Sequence, residues 1–497
     1  MKKILWAACL MAALSLAGCS DDENGNGGNG GNGGSGEGGN PSGGDLTEIL
    51  FEDGTQIGDG RQEFEIKGDY TLPKGTYLLK GWCYIADGAS LTLAPGTIIK
   101  GDKETKAALI VEPGGQLWAK GTQSEPIVFT SEMPAGNRRP GDWGGIILCG
   151  RGVNNKGTMQ IEGGPRTTHG GSDNADCSGA LSYVRCEFAG YPFKEDQEIN
   201  AITFGSVGSA TQIDHVQVSY SNDDSYEWFG GAVNAKYLIS YHTWDDDFDT
   251  DNGFCGKVQF CLGVRQPRIA DTSASNGFES DNNASGSTSS PFTSAVFSNV
   301  TFIGPKAVDA SFQNNSDYIN GGSVYPNNGS SLGRFQAAMH IRRNSHLNCF
   351  NSVAVGWPIG LILDNEKGDT QGAATAGTLK LNNIWFAGMD VLGTDFNKIY
   401  EDGLYDYETG TVDNTKNSFA HTFFELAANN NRHFDSADGW FDRTGYIPSA
   451  GSPLIGAASF TEAILNGCTA VDYIGAFAAG DTWLDGWTNF DPQNADY

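Results

Sequence analysis

Eight carboxylate side chains lie between Ser221 and Asp251, a segment in which Lys236 is the only lysine or arginine. Asp247 is one of them, and the other seven, called the acidic column below, are candidate metal ligands: Asp223, Asp224, Glu227, Asp245, Asp246, Asp249 and Asp251. Carboxylate oxygens are the ligands that calcium prefers, and extracellular calcium sites commonly bind at about 10⁻⁴ to 10⁻³ M. Calcium is therefore the cofactor that this segment indicates.

The acidic column follows an internal repeat. The segment from Asn222 to Gly231 recurs as Trp244 to Gly253, an offset of 22 residues, and a looser third copy runs from Asn276 to Asn282. If each copy occupies one coil of a repeating fold, equivalent residues stack on one another. The predicted stacks are Glu227 over Asp249, and Asp223 and Asp224 over Asp245 and Asp246, with Glu279 and Asp281 extending the column.

Stacked carboxylates need an explanation, because each pair one coil apart repels by about 1 kcal/mol in water and by several times that near a protein wall. Three explanations stay open. A bound calcium ion would satisfy several oxygens at once. Alternatively, the side chains cap their own turns and point into solvent. In the third, two of them form a catalytic pair at one of the separations, about 5 or 9 Å, that glycosidases use.

Residues near the acidic column also suggest ligand binding. Flat aromatic faces pack against sugar rings, and arginine is well shaped for a carboxylate or sulfate. For the tryptophans the alternative is burial in the core, and for the arginines it is pairing with acids such as Glu279 or Asp364. The candidate ligand-binding residues are Trp228, Trp244, Glu279, Asp281, Arg342 and Arg343.

Short strands must position these residues. From Tyr70 onward, β-branched and aromatic runs alternate with turns rich in glycine, asparagine and aspartate. A second repeat, Ile85 to Leu91 and again Val111 to Leu117, has an offset of 26 residues. Offsets of 22 to 30 fit one coil of a parallel β-helix, whereas a propeller blade needs about 40 to 50 residues. We therefore predict an all-β fold, a right-handed parallel β-helix with capped ends and a few short helices.

Composition supports this prediction. The chain of 497 residues contains 69 glycines, which excludes a coiled coil or helical bundle. The net charge of −29 and the lack of a lysine or arginine cluster argue against nucleic acid as a partner. Eight cysteines follow Cys19, and either disulfides, with Cys177 to Cys186 and Cys255 to Cys261 the closest pairs, or buried thiols would account for them.

The first residues indicate export. Lys2 and Lys3 precede an apolar run from Ile4 to Leu16, which is too short to span a bilayer and fits a secretory signal. Leu16 to Cys19 resembles the bacterial lipobox, which implies lipidation of Cys19. Residues 20–45 hold an acidic stretch, which resembles the surface-export signal of Bacteroidota lipoproteins, and a tether rich in glycine and asparagine.

We expect residues 46–497 to form one β-helix domain. Residues 46–80 are predicted to cap its start, residues 304–334 to be a surface insertion, and residues 395–497 to cap its other end.

Seven short sequence motifs form a recognisable set: Gly141 to Leu148, Ile161 to Gly163, Glu227 to Gly231, Asp245 to Asp249, Ile341 to Asn344, Gly356 to Gly360 and Tyr473 to Phe477. Together they resemble a broad group of bacterial surface lipoproteins with a predicted right-handed β-helix and no assigned function. The resemblance implies fold and location and brings no catalytic residues. Pectate lyases and polygalacturonases are similar only in architecture, which does not establish activity.

These observations favour a binding protein over an enzyme, although catalysis stays open. The favoured hypothesis is an outer-membrane lipoprotein, facing the cell exterior and anchored in lipid through Cys19. Its β-helix would bind a ligand such as a glycan, beside a TonB-dependent transporter. One alternative is a calcium-assisted extracellular polysaccharide lyase or glycoside hydrolase, and another is a structural or adhesive surface component.

Overall fold

Two long, mainly parallel β-sheets form the body of the protein. A computed structural model describes residues 45–51, 54–194, 197–320, 333–397, 402–406 and 409–497. Within these ranges, and apart from the first pair of the larger sheet, strands pair in parallel with a strand of the next coil, in the register that stacks equivalent residues. The prediction of a right-handed parallel β-helix is confirmed.

The larger sheet has sixteen strands, and only its first pair is antiparallel. Its strands are Leu50–Phe51, Gln56–Ile57, Asp69–Leu72, Thr76–Leu79, Ser90–Leu93, Ile98–Gly101, Gln116–Lys120, Ile127–Ser131, Gly179–Glu187, Gln212–Ser219, Ala235–Tyr241, Lys257–Val264, Val296–Ile303, Asn348–Val355, Lys380–Ala387 and Arg432–Phe434.

The second sheet has eleven strands and carries the acidic column. They are Phe64–Ile66, Trp82–Ile85, Ala108–Val111, Gly145–Cys149, Ile202–Gly205, Tyr226–Phe229, Phe248–Asp251, Phe278–Ser280, Ala337–Ile341, Ile359–Leu363 and Val391–Thr394. Side chains alternate between the two faces of a strand. On the inner face, Ile202, Tyr226, Phe248 and Phe278 stack in the core.

Short helices and hairpins complete the fold. The α-helices are Pro305–Val308, Thr370–Ala376 and Phe419–Phe424, and the 3-10 helices are Leu46–Glu48, Ala427–Asn429, Ala463–Leu465 and Pro492–Asn494. Antiparallel pairs join Met159–Gln160 to Thr168–His169, Pro192–Lys194 to Gln197–Glu198, and Leu404–Asp406 to Thr411–Asp413. Ser418 caps the third α-helix by accepting a hydrogen bond from the backbone of His421.

Residues 435–497, called the strap below, run back along the larger sheet. Three side-chain amides of the coils each donate to the C=O and accept from the N–H of one strap residue: Gln217 exchanges these two hydrogen bonds with Asn489, Gln259 with Thr469, and Asn351 with Ser459. Apolar strap side chains, including those of Trp440 and Trp487, pack on the same sheet. This part of the predicted end cap therefore lies along the side of the solenoid, a difference that reflects these long-range contacts.

Several predicted features fall outside the described residues. They include Cys19, residues 20–44 and much of the predicted insertion, residues 321–332. Five cysteines of the described part, Cys83, Cys149, Cys186, Cys261 and Cys349, are buried free thiols. Of the two alternatives considered, these five match buried thiols, and neither Cys186 nor Cys261 forms a bridge.

Candidate functional site

The acidic column lies on the outer face of the eleven-stranded sheet. Glu227, Asp249 and Glu279 are register partners on three consecutive coils. The predicted stack of Glu227 over Asp249 is therefore confirmed, and Glu279 extends it. Because the flanking residues of each strand face inward, this face of the sheet carries carboxylates over an apolar core.

Turns just before these strands form a hydrogen-bonded ladder. The Asp224 carboxylate accepts the backbone N–H of Asp246 at 2.8 Å, the Asp246 carboxylate accepts that of Asn276, and the Asn276 amide oxygen accepts that of Ala337 at 3.1 Å. Asn276 performs the same role without a charge. Two of the three ladder positions are therefore occupied by an ionisable carboxyl group, which the ladder itself does not require.

These side chains are not directed into solvent. Asp224, Glu227 and Asp246 are 6%, 8% and 4% exposed, and the other four carboxylates of the acidic column are half-buried. The explanation by turn capping is thus correct for the hydrogen bonds of the ladder and wrong about exposure. A turn that only needed a cap would leave its carboxylate in water.

Three overlapping groups of carboxylates could each hold a cation. The groups are Asp223, Asp224 and Asp245; Asp224, Glu227 and Asp249; and Asp246, Asp249 and Glu279, and within each group one oxygen per residue lies within 4.8 Å of the others. Oxygens bound to one calcium ion at about 2.3 to 2.6 Å are at most about 5 Å apart. The spacing fits calcium, and six of the seven predicted ligands belong to a group.

Electrostatics show the cost of this crowding. Burial and the neighbouring Asp223 raise the pKa of Asp224 well above its usual range, and burial and Asp249 do the same for Glu227. Burial, with the Asp281 carboxylate nearby, raises the pKa of Asp251 to about 7. Protons or a cation are therefore needed to neutralise the column near neutral pH.

Among the described residues, none of the seven carboxylates of the acidic column has a salt-bridge partner, although Glu279 and Asp281 do. Oδ1 of Asp245 and Oδ1 of Asp249 are buried and accept no hydrogen bond from the described part of the chain. A buried polar atom without a partner costs about 1 to 3 kcal/mol, and more for a charged group. Each atom marks a place where a ligand is expected.

Arginines close the column at its next coil. Arg342 contacts Glu279 and donates from Nε to Asp281 at 2.9 Å, and Arg343 donates to Asp281 at 2.6 Å. Burial alone would raise the pKa of Glu279, but the Arg342 guanidinium lowers it to about 2. The pairing with Glu279 considered from the sequence is confirmed. His340 lies between Glu279 and Asp364, at 3.4 and 3.7 Å.

The two candidate stacking platforms are inside the protein. Trp228 packs between Phe204 and Phe254 in the core, and Trp244 lies in a separate buried cluster that includes Ile269. The exposed fraction is 0% for Trp228 and 1% for Trp244. The prediction that their faces bind sugars is wrong, because alternation along the strand turns Trp228 inward when Glu227 points outward.

A family model described as a pectate-lyase like beta helix domain matches residues 64–441. The chain belongs to this family. No curated protein and no solved structure shows significant similarity to the chain. The matched range contains the acidic column and ends soon after the strap begins. In the described residues of this pectate-lyase-like β-helix, we find no helix of the length and apolar character that a bilayer span requires.

Sequence reasoning missed the loop that flanks the column in this β-helix. A cavity of about 430 Å³ is lined by Asp251 and by the loop residues Lys156, Gln160 and Glu162. Asn200 donates a hydrogen bond to Glu227, and Ser273 donates one to Asp245. The Ile161 to Gly163 motif belonged to the recognised set, but nothing in its spacing relates it to Asp251, some 90 residues later.

Proposed function

We propose that the protein is a calcium-dependent glycan-binding lipoprotein of the outer cell surface. The observation that carries the proposal is the series of overlapping carboxylate groups, whose oxygens have the spacing of calcium ligands and include buried oxygens that find no partner among the described residues. Calcium takes six to eight oxygens, so three carboxylates leave coordination positions for water or for ligand hydroxyls. Sugars supply such hydroxyls in neighbouring pairs.

The cavity beside the column supports a ligand of sugar size. Its volume of about 430 Å³ lies within the range of small-molecule sites. Phe229 and Ile161 give it an apolar wall, while Lys156, Gln160 and Asp251 supply charged and amide groups. Apolar and polar groups together suit a sugar ring, whose faces are apolar and whose edges carry hydroxyls.

The location is proposed from the sequence. The lipobox-like segment ending at Cys19, the acidic residues after it and the tether together suit a lipid-anchored protein that faces the exterior. Association with a TonB-dependent transporter would deliver the captured glycan to an uptake route. Co-purification of such a transporter with the detergent-solubilised lipoprotein would support this part of the proposal.

A glycan panel tests the binding function. The purified full chain is applied to immobilised polysaccharides with calcium and again with a chelator. We expect binding to at least one glycan that is lost in chelator and weakened by Asp249→Asn, while the Asp87→Asn control, at an exposed acid remote from the column, binds normally. Binding that is indifferent to chelator would contradict the calcium role, and a panel without binding would favour a structural or adhesive component.

A calcium-assisted polysaccharide lyase or glycoside hydrolase is the second candidate. The raised pKa of Glu227, caused by burial and Asp249, favours it because a carboxyl that holds its proton more tightly is better suited to act as a general acid. Arg342 is not suited to act as a base, since Glu279 and Asp281 outweigh burial and raise its pKa further. If the wild type releases reducing or unsaturated ends from a polysaccharide and Glu227→Gln does not, the protein is an enzyme of this kind.

A further inference from the structure

The three carboxylate groups are not equivalent. Asp224 belongs to the first and second groups and Asp249 to the second and third, so neighbouring groups share a ligand. The third group alone includes Glu279, which already contacts the Arg342 guanidinium. A positive charge of the protein therefore serves the third group, whereas the first two groups have no such partner in the described part of the chain.

We propose that Arg342 acts as a built-in cation that closes the third group, so that the column binds two calcium ions, in the first and second groups, bridged by Asp224. This inference rests on the calcium site of the proposed function and adds the number of ions, their places and the residue that limits them.

Independent observations point to ligands in these two places. Oδ1 of Asp245, in the first group, and Oδ1 of Asp249, shared by the second and third groups, are buried and lack hydrogen-bond donors among the described residues. Because Arg342 already serves the third group through Glu279, we assign the Asp249 oxygen to the second. The first and second groups thus each contain one carboxylate oxygen that the described residues leave unsatisfied. Two ions that share a carboxylate lie about 3.5 to 4 Å apart in known two-metal sites, and Asp224 is the carboxylate that the first and second groups share.

Arg342 is well placed to exclude a third ion. It binds Glu279 and Asp281 together, and Arg343 binds Asp281 from the other side. A calcium ion in the third group would have to displace the guanidinium from Glu279. Arg343 touches only Asp281 of these acids, so its removal leaves Glu279 with its partner.

The ladder provides a matched pair of variants. Asp224 and Asp246 accept the same kind of backbone hydrogen bond, and Asn276 shows that an asparagine can do so. Asp224→Asn and Asp246→Asn thus remove the same charge from equivalent positions. Of these two residues, only Asp224 is a member of the first and second groups, whereas Asp246 is a member of the third.

Calcium binding to the full chain in detergent is measured by equilibrium dialysis and titration calorimetry, with calcium as the only added ligand. We expect two ions per chain for wild type, Asp246→Asn and Arg343→Gln. Asp224→Asn should weaken both ions by at least about tenfold. Arg342→Gln should bind three ions, and the double variant Arg342→Gln with Asp246→Asn should return to two. Circular dichroism verifies the fold of each variant.

One ion or none in the wild type, equal behaviour of Asp224→Asn and Asp246→Asn, or an unchanged count in Arg342→Gln would each overturn the inference. If Arg342→Gln does not fold, the comparison of the two ladder variants decides alone. Two bound ions without any glycan binding would refute the proposed function and leave this inference intact. Calcium-dependent glycan binding with a single bound ion would refute this inference and leave the proposed function intact.

Discussion

Calcium removal should make the stability of this protein depend on pH, and Asp251 sets the scale. Burial and the Asp281 carboxylate raise the pKa of Asp251 to about 7, against about 3.9 in an unfolded chain. A carboxyl whose pKa rises on folding stabilises the fold while protonated, so its contribution is complete below about pH 4 and is lost as pH rises through about 7. At about 1.36 kcal/mol per pKa unit, Asp251 alone removes about 3 kcal/mol between pH 5 and pH 8.

This loss is measurable as a melting temperature. An unfolding entropy of about 2.1 cal/mol/K per residue gives about 1 kcal/mol/K for a folded part of this size, so the loss corresponds to about 3 °C. Burial and like charges also raise the pKa values of the other six carboxylates of the acidic column, which enlarges the fall. Calcium at 100 times its Kd restores about 2.7 kcal/mol per ion, provided that the carboxylates are deprotonated.

Differential scanning calorimetry of the full chain at pH 5 and pH 8, in chelator and in excess calcium, is the assay. We expect calcium to raise Tm more at pH 8 than at pH 5. Burial lowers the pKa of His169 to about 4 and that of His242 to about 3. These histidines titrate alike in chelator and in calcium, so they do not contribute to the difference between the two conditions. Asp251→Asn should reduce the fall in Tm between pH 5 and pH 8 in chelator by about 3 °C, and the other six carboxylates account for what remains. An equal calcium effect at both pH values would refute the reasoning.

Three further outcomes follow from the fold. Trp228→Ala should destabilise the protein by about 3 to 5 kcal/mol in denaturant titration, since it empties a core site; a loss of glycan binding without loss of stability would contradict its burial. Gln217→Leu removes both hydrogen bonds to Asn489 and should lower the free energy of unfolding by about 2 kcal/mol. Proteolysis within the strap should become faster. The control Gln123→Leu removes one exposed hydrogen bond to Asp485 and should lower the free energy of unfolding by less. Protease added to whole cells should cleave the lipoprotein, and an intact chain would argue against surface exposure.

The repeat of 22 residues allowed the acidic column to be located from the sequence. Equivalent positions carry similar residues, so Glu227 and Asp249 could be aligned without coordinates. The third copy follows after 30 residues because the turn from Arg265 to Ala274 lengthens its coil, and it still places Glu279 in the column.

The orientation of the aromatic side chains needed only one more step. Because strand residues alternate between faces, an outward Glu227 requires Trp228 to point inward. Trp244 lies outside the strands, and its burial depends on contacts with Phe188, Tyr220 and Ile269. Those contacts involve three separate coils or turns, and no local pattern in the sequence indicates them.

The strap was beyond sequence reasoning for a similar reason. Gln217 and Gln259 are polar residues within strands, and their partners lie 272 and 210 residues later. From the sequence, a glutamine at such a position is equally compatible with a solvent-exposed side chain and with one that binds another segment. Only the assembled coils reveal that these amides bind peptide groups of one continuous segment.

That segment changes how the solenoid is expected to come apart. Coils that touch only their neighbours can fray one at a time, and a defect in one stays local. Here a single stretch of backbone is bonded to coils as distant as those of Arg138 and Asn383. Opening any of these coils loosens a tie that the others share, so we expect them to exchange amide hydrogens as one cooperative unit. The coils are also made before the segment that joins them, and they reach this cooperativity only after it has been synthesised.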